Sequence, residues 1–119
     1  MNPSMTAALV ALLLSGCGLG TLGSMKDTKV ASSEGNYDRL AAEAKKLGWA
    51  SQKGTGSHNR IDDWPLQVFP ARGQTIIFTK NNRTGNIAFT CKGGPLDSKE
   101  TCIEHANRLF APAFHGTYR

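Results

Sequence analysis

The residue types best suited to chemistry gather between Ala50 and Asp63, in ASQKGTGSHNRIDD. His58 with Asp62 and Asp63 supplies one imidazole and two carboxylates, the groups of a metal site or an acid–base pair. Adjacent carboxylates diverge, however, and this trio matches no ligand spacing. Lys53-Gly54-Thr55-Gly56-Ser57 offers backbone N–H groups to an anion, but the Walker spacing is absent and a GTG triplet alone is weak evidence. His105 follows Glu104 on a predicted helix, where successive side chains point apart, and His115 has no evident partner. Neither Gly-x-Ser-x-Gly nor His-Glu-x-x-His occurs. The expectation is no catalytic residue, no metal and no cofactor. The 50–63 stretch then reads as a long polar loop, either simply solvated or a recognition surface.

The remaining reactive groups are three cysteines, Cys17, Cys91 and Cys102. Cys17 closes an apolar run, Ala7 to Leu14, which has the length of a signal-peptide core and falls well short of the ~20 residues of a membrane span. The tetrapeptide Leu14-Ser15-Gly16-Cys17 resembles the lipobox of bacterial lipoproteins. That resemblance covers residues 1–17 only. It implies a diacylglyceryl group on the Cys17 thiol, cleavage between Gly16 and Cys17 by signal peptidase II, and acylation of the new amino terminus. By the same resemblance, Gly18, which is not an aspartate, implies the outer membrane with the domain facing the periplasm. In a Gram-positive host it would be the outer face of the cytoplasmic membrane. The alternative is a buried helix with Cys17 as a core cysteine, but the run lacks the polar face of such a helix.

Removing residues 1–16 from the 119 leaves 103, a single small domain near the lower limit for a self-sufficient core, so a covalent staple is expected. If Cys17 carries lipid, Cys91 and Cys102 remain to pair, as suits an exported protein. The formal net charge of +5, from 14 Lys and Arg against 9 Asp and Glu, favours anionic surroundings. No Arg-rich run or nucleic-acid motif accompanies it, and export argues against nucleic acid. The partners expected are the membrane, through the Cys17 lipid, and an envelope protein or anionic envelope component.

The elements that must position these residues follow in order. Residues 17–35 are rich in Gly, Ser and Thr and read as the lipidated cysteine and a flexible tether. The folded domain is expected over 36–115, with 116–119 a tail. Asn36 should cap a helix over about 37–47, which Gly48 ends, Trp49 then folding back as core rather than as a ligand platform. Trp64 to Phe69, bounded by Pro65 and Pro70, reads as a short edge strand. Gln74–Lys80 and Asn86–Lys92 flank Asn81-Asn82-Arg83-Thr84-Gly85, the clearest hairpin in the chain. Ile76, Phe78, Ile87, Phe89 and Cys91 form its inner face; Thr75, Thr79, Thr90 and Lys92 point outward. Asp97 with Glu100 should open a second helix through about Phe110, stopped by Pro112. Cys102, Ala106 and Leu109 form its apolar stripe, so strand alternation and helix period bring both thiols to one interface.

The resulting expectation is a small two-layer α+β domain: helix, three-stranded antiparallel sheet, helix, one disulfide. Its expected function is that of a membrane-anchored bacterial envelope lipoprotein, a non-enzymatic binding or assembly module. The alternatives are an inhibitor or exclusion lipoprotein of the immunity type, and a small envelope enzyme using Lys53–Asp63. The candidate binding surface comprises Lys53, His58, Arg60, Lys80, Arg83 and Lys92, a basic set suited to an acidic partner.

Overall fold

The computed structural model describes residues 26–54 and 65–118. The signal segment, Cys17, His58, Arg60, Asp62 and Asp63 lie outside the described residues. Six strands and helices bear on the sites: β1 (Lys26–Ala31), α1 (Glu34–Lys46), β2 (Ala50–Gln52), β3 (Leu66–Phe69), β4 (Thr75–Lys80) and β5 (Asn86–Lys92). A 3-10 turn (Gly94–Asp97) and α2 (Lys99–Phe114) follow. Among the described residues the fold class is α+β with two helices on a sheet, as the sequence implies, but the sheet has five strands rather than three. Its order is β1-β5-β4-β3-β2, every neighbour antiparallel. From β2 to β5 the chain runs as a meander, and α1 carries it from β1 at one edge to β2 at the other.

The two extra strands correct two expectations. Lys26–Ala31, expected within the tether, pairs with β5 through Lys26↔Phe89, Asp27↔Ala88 and Ala31↔Asn86. Ala50–Gln52, expected as loop, pairs with β3 through Ala50↔Phe69 and Gln52↔Gln67. That second pairing also moves β3 from the edge to the interior. Pro65 and Pro70 stand just outside β3, so neither withdraws an N–H from its ladder.

Helix α1 begins earlier than expected because Ser33, not Asn36, is its cap. Ser33 Oγ accepts from the Asn36 N–H at 3.3 Å, while Asn36 Nδ2 donates to Ala31 O at 2.6 Å. Its end is as expected. Gly48 has φ +76°, and the Gly48 and Trp49 N–H groups donate to Lys45 O and Ala44 O, the paired bonds of a Schellman ending. Trp49 packs against the core, stacked on His105 at 5.6 Å.

The second helix differs at both ends. Asp97 Oδ1 accepts from the Gly93 N–H, closing the 3-10 turn, and Ser98 caps α2 instead. The helix runs through Pro112 to Phe114, since a proline in the last turn removes only one donor there. Residues 116–118 are not a loose tail. Asn107 Nδ2 donates to Tyr118 O at 2.8 Å and Asn107 Oδ1 accepts from the Tyr118 N–H at 2.7 Å, placing the Tyr118 ring edge-on to Phe89.

The core lies between sheet and helices. Phe78 and Phe89, opposite each other on β4 and β5, meet Phe110 of α2, with Tyr37, Leu40, Leu66, Val68, Ile76 and Leu109 around them. Cys91 and Cys102 are disulfide-bonded, with Cα atoms 5.7 Å apart. The opposite sheet face is also withdrawn from water: Ile77, Thr79, Ala88 and Thr90 are buried. Thr79 and Thr90 therefore point away from the core, as expected, without reaching solvent; each sits directly opposite an apolar residue, Ala88 and Ile77.

Candidate functional site

Three of the six candidate binding residues gather at the hairpin-loop end of the domain. Lys53, just past β2, and Lys80, at the end of β4, line one shallow groove of about 380 Å³ together with Ser32, Ser33, Glu34 and Tyr37. Arg83 stands exposed in the adjoining loop. Lys92 sits at the other end of β5, opposite Thr75, roughly 17 Å along the strand from the level of Lys80. The structure thus separates Lys92 from the group.

Within the groove Lys53 is already engaged. Its ammonium donates to Asp38 Oδ1 at 2.8 Å and to Glu34 Oε2 at 3.2 Å. The Asp38 hydrogen bond, then that to Glu34, raises its pKa above the ordinary lysine value. Lys53 therefore stays charged through neutral pH, and its stabilising contribution disappears only as pH rises through that raised pKa. Its role is to tie the end of β2 to α1. Lys80 and Arg83 are the cations left to meet a partner.

The hairpin loop is fixed by its own polar groups. Asn81 Oδ1 accepts from the N–H groups of Arg83 (2.9 Å) and Thr84 (3.4 Å), and Gly85, at φ +76°, returns its N–H to Asn81 O at 2.7 Å. Strand β1 braces it from the side: Asp27 Oδ1 accepts from Thr84 Oγ1 at 3.2 Å and from Asn81 Nδ2 at 3.4 Å, and Asp27 Oδ2 from Asn86 Nδ2 at 3.5 Å. Ser32 Oγ and its N–H both donate to Gly85 O. Asp27 and Ser32 were missed in the sequence because the tether reading covered them. The signal that could have found them is the alternation of Asp27 and Lys29 against Thr28 and Val30.

The histidines outside the 55–64 stretch have structural places. His105 Nδ1 lies 2.9 Å from Thr101 O, so this nitrogen carries the proton, and the ring supports Trp49. His115 is exposed and closes α2 in the left-handed conformation at φ 58°. Among the described residues no three of His, Cys, Asp and Glu converge as a metal-ligand set. Glu100, in the first turn of α2, has its pKa lowered by its own backbone N–H and by the Ser98 hydroxyl, which donates to Oε1 at 3.1 Å. No described helix is long and apolar enough to cross a membrane.

A second groove, of about 550 Å³, lies between β1 and the end of α2. Val30, Phe110, Phe114 and Tyr118 form its apolar walls and Lys29 stands at its margin.

Fold and site together define a small disulfide-bonded α+β domain whose hairpin-loop end exposes Lys80 and Arg83. No family model, no curated protein and no solved structure matches the chain.

Proposed function

We propose that this chain is a bacterial envelope lipoprotein, anchored through lipid on Cys17, whose α+β domain is a non-enzymatic binding or assembly module for an acidic envelope partner. The observation that carries the reading is the Cys91–Cys102 disulfide beside the Leu14-Ser15-Gly16-Cys17 tetrapeptide. A structural disulfide suits an oxidising, exported compartment. The tetrapeptide supplies both the route there and the use of the third cysteine. The binding surface is the hairpin-loop end, where a braced loop presents Lys80 and Arg83 from a rigid sheet.

Anchoring is tested by Cys17→Ser. The variant remains an uncleaved precursor and incorporates no labelled fatty acid, whereas the wild type takes up label and fractionates with the outer membrane. A wild type that takes up none refutes the anchor.

Recognition is tested separately, by in-cell crosslinking. The double substitution Lys80→Glu, Arg83→Glu leaves Tm nearly unchanged, because both side chains are exposed, yet abolishes capture of the partner seen with the wild type. Wild-type capture weakens as ionic strength rises. Undiminished capture by the double variant moves the site away from this end. An enzyme would instead retain capture and lose turnover.

A further inference from the structure

We propose that the groove between β1 and the end of α2 binds a single-chain anionic amphiphile, an acyl chain ending in a carboxylate. This inference rests on the groove alone and stands whether or not Cys17 carries lipid. At about 550 Å³ the cavity has the size of a small-molecule site. Val30, Phe110, Phe114 and Tyr118 give it an apolar, largely aromatic lining suited to a hydrocarbon chain. Its walls are preformed, since the two hydrogen bonds from Asn107 hold Tyr118 in place and Phe110 is anchored in the core against Phe78 and Phe89.

The charges select the head group. Lys29 stands exposed at the margin. The Arg39 guanidinium lies 5.2 Å from the centroid of the Phe114 ring, placing a second cation beside the same wall. Asp27 is the carboxylate among the lining residues, and its oxygens accept from Asn81, Thr84 and Asn86 of the hairpin loop. Two cations therefore stand beside the groove against one carboxylate that the hairpin loop already engages, and this balance of charge favours an anionic head over a cationic one.

An extended peptide adding to the β1 edge is the competing occupant, and the strand is built against it. The β1–β5 register breaks between Asp27 and Ala31. There Thr28 Oγ1 accepts from the Val30 N–H at 3.1 Å and donates to Val30 O at 3.3 Å. Both main-chain groups of Val30 are thus taken, and a bulged edge carrying Lys26 and Lys29 is a poor template for another strand.

The test is photocrosslinking of the purified full-length chain with a diazirine-bearing dodecanoate, followed by peptide mapping. Adducts fall on the tryptic peptides that contain Val30 and residues 109–118. Unlabelled dodecanoate protects these peptides at about fivefold lower concentration than dodecanol, as expected for two exposed charge contacts, and dodecyltrimethylammonium protects them least. Lys29→Glu with Arg39→Gln removes the advantage of dodecanoate over dodecanol, leaves protection by dodecanol unchanged, and leaves Tm unchanged. Adducts spread evenly over all peptides, equal protection by the anionic and cationic amphiphiles, or no adduct on these two peptides each overturn the proposal. Self-association that hides the two peptides and that dodecanoate does not reverse also overturns it, assigning the face to a second copy of this chain.

Discussion

Replacing Cys91 and Cys102 together by serine lowers the unfolding free energy by about 3 kcal/mol and Tm by roughly 10–20 °C. The bond spans a sequence separation of 11, so its loop is short, and the chain-entropy argument places it in the lower half of the usual range. Two local features raise the cost of losing it. Cys91 lies in the core-facing row of β5 and Cys102 in the buried stripe of α2, so the new hydroxyls must be desolvated. The loop also contains the 3-10 turn, whose buried Leu96 is held in register by the same staple. Backbone proximity adds a further constraint: Gly93, at φ +102°, comes so close to Gly73 that a Cβ there would stand 1.9 Å from Gly73 O. Urea unfolding of the oxidised protein, the reduced protein and the double variant measures the effect. The latter two should share a lowered midpoint while the far-UV spectrum keeps its native shape. Equal midpoints for all three, or free thiols in the native oxidised protein, would contradict the structure.

The disulfide and the hairpin were legible in the sequence for the same reason. Both faces of β4 and β5 are buried, but the core-facing row of Ile76, Phe78, Ile87, Phe89 and Cys91 recurs with the strand period and Cys102, Ala106 and Leu109 with the helix period, and that recurrence carries the signal. Strand β2 carries none of that kind, and β1 carries only the short alternation of Asp27 and Lys29 against Thr28 and Val30. All three residues of β2 are exposed, and its place rests on main-chain pairing with β3. Strand β1 is a polar, lysine-bearing edge whose contribution lies in Asp27 and Thr28 rather than in an apolar face. Both became strands because the hairpin and its neighbour β3 supplied the template, a tertiary effect that overrides local preference.

The hairpin-loop end was half legible. Lys80 and Arg83 were readable from the hairpin turn, but the engagement of Lys53 with Glu34 and Asp38 joins residues 19 and 15 positions apart in the chain. Lys92 lies where the hairpin reading puts it, opposite Thr75, and outside the group around Lys80. It shares a hairpin with Lys80 in sequence, yet antiparallel pairing sends the two to opposite ends. The caps erred by small steps with a common origin: Ser33 and Ser98 hold the capping positions expected of Asn36 and Asp97, each of which makes another local hydrogen bond.

Phe89→Ala is expected to cost about 3–5 kcal/mol, a large part of the 5–15 kcal/mol that holds a domain of this kind together. Phe89 is fully buried on β5, between β1 and β4, and directly faces Phe78. Its ring centroid lies 6.1 Å from Phe78, 5.7 Å from Phe110 and 5.3 Å from Tyr118, so truncation empties space shared by the sheet, α2 and the folded-back C-terminal segment at once. Rings fixed on three separate elements cannot all collapse into the void, which puts the cost in the upper range for a core truncation. Phe89→Leu keeps more of the volume and should cost less than half as much. Tyr118→Ala should also cost less, because Tyr118 is only half-buried, and because the two share one contact, the double variant should be destabilised by less than the sum of the singles. Chemical denaturation of the wild type and the four variants gives the answer. A Phe89→Ala midpoint within error of the wild type, or strict additivity with Tyr118→Ala, would show that the C-terminal segment does not close over this ring.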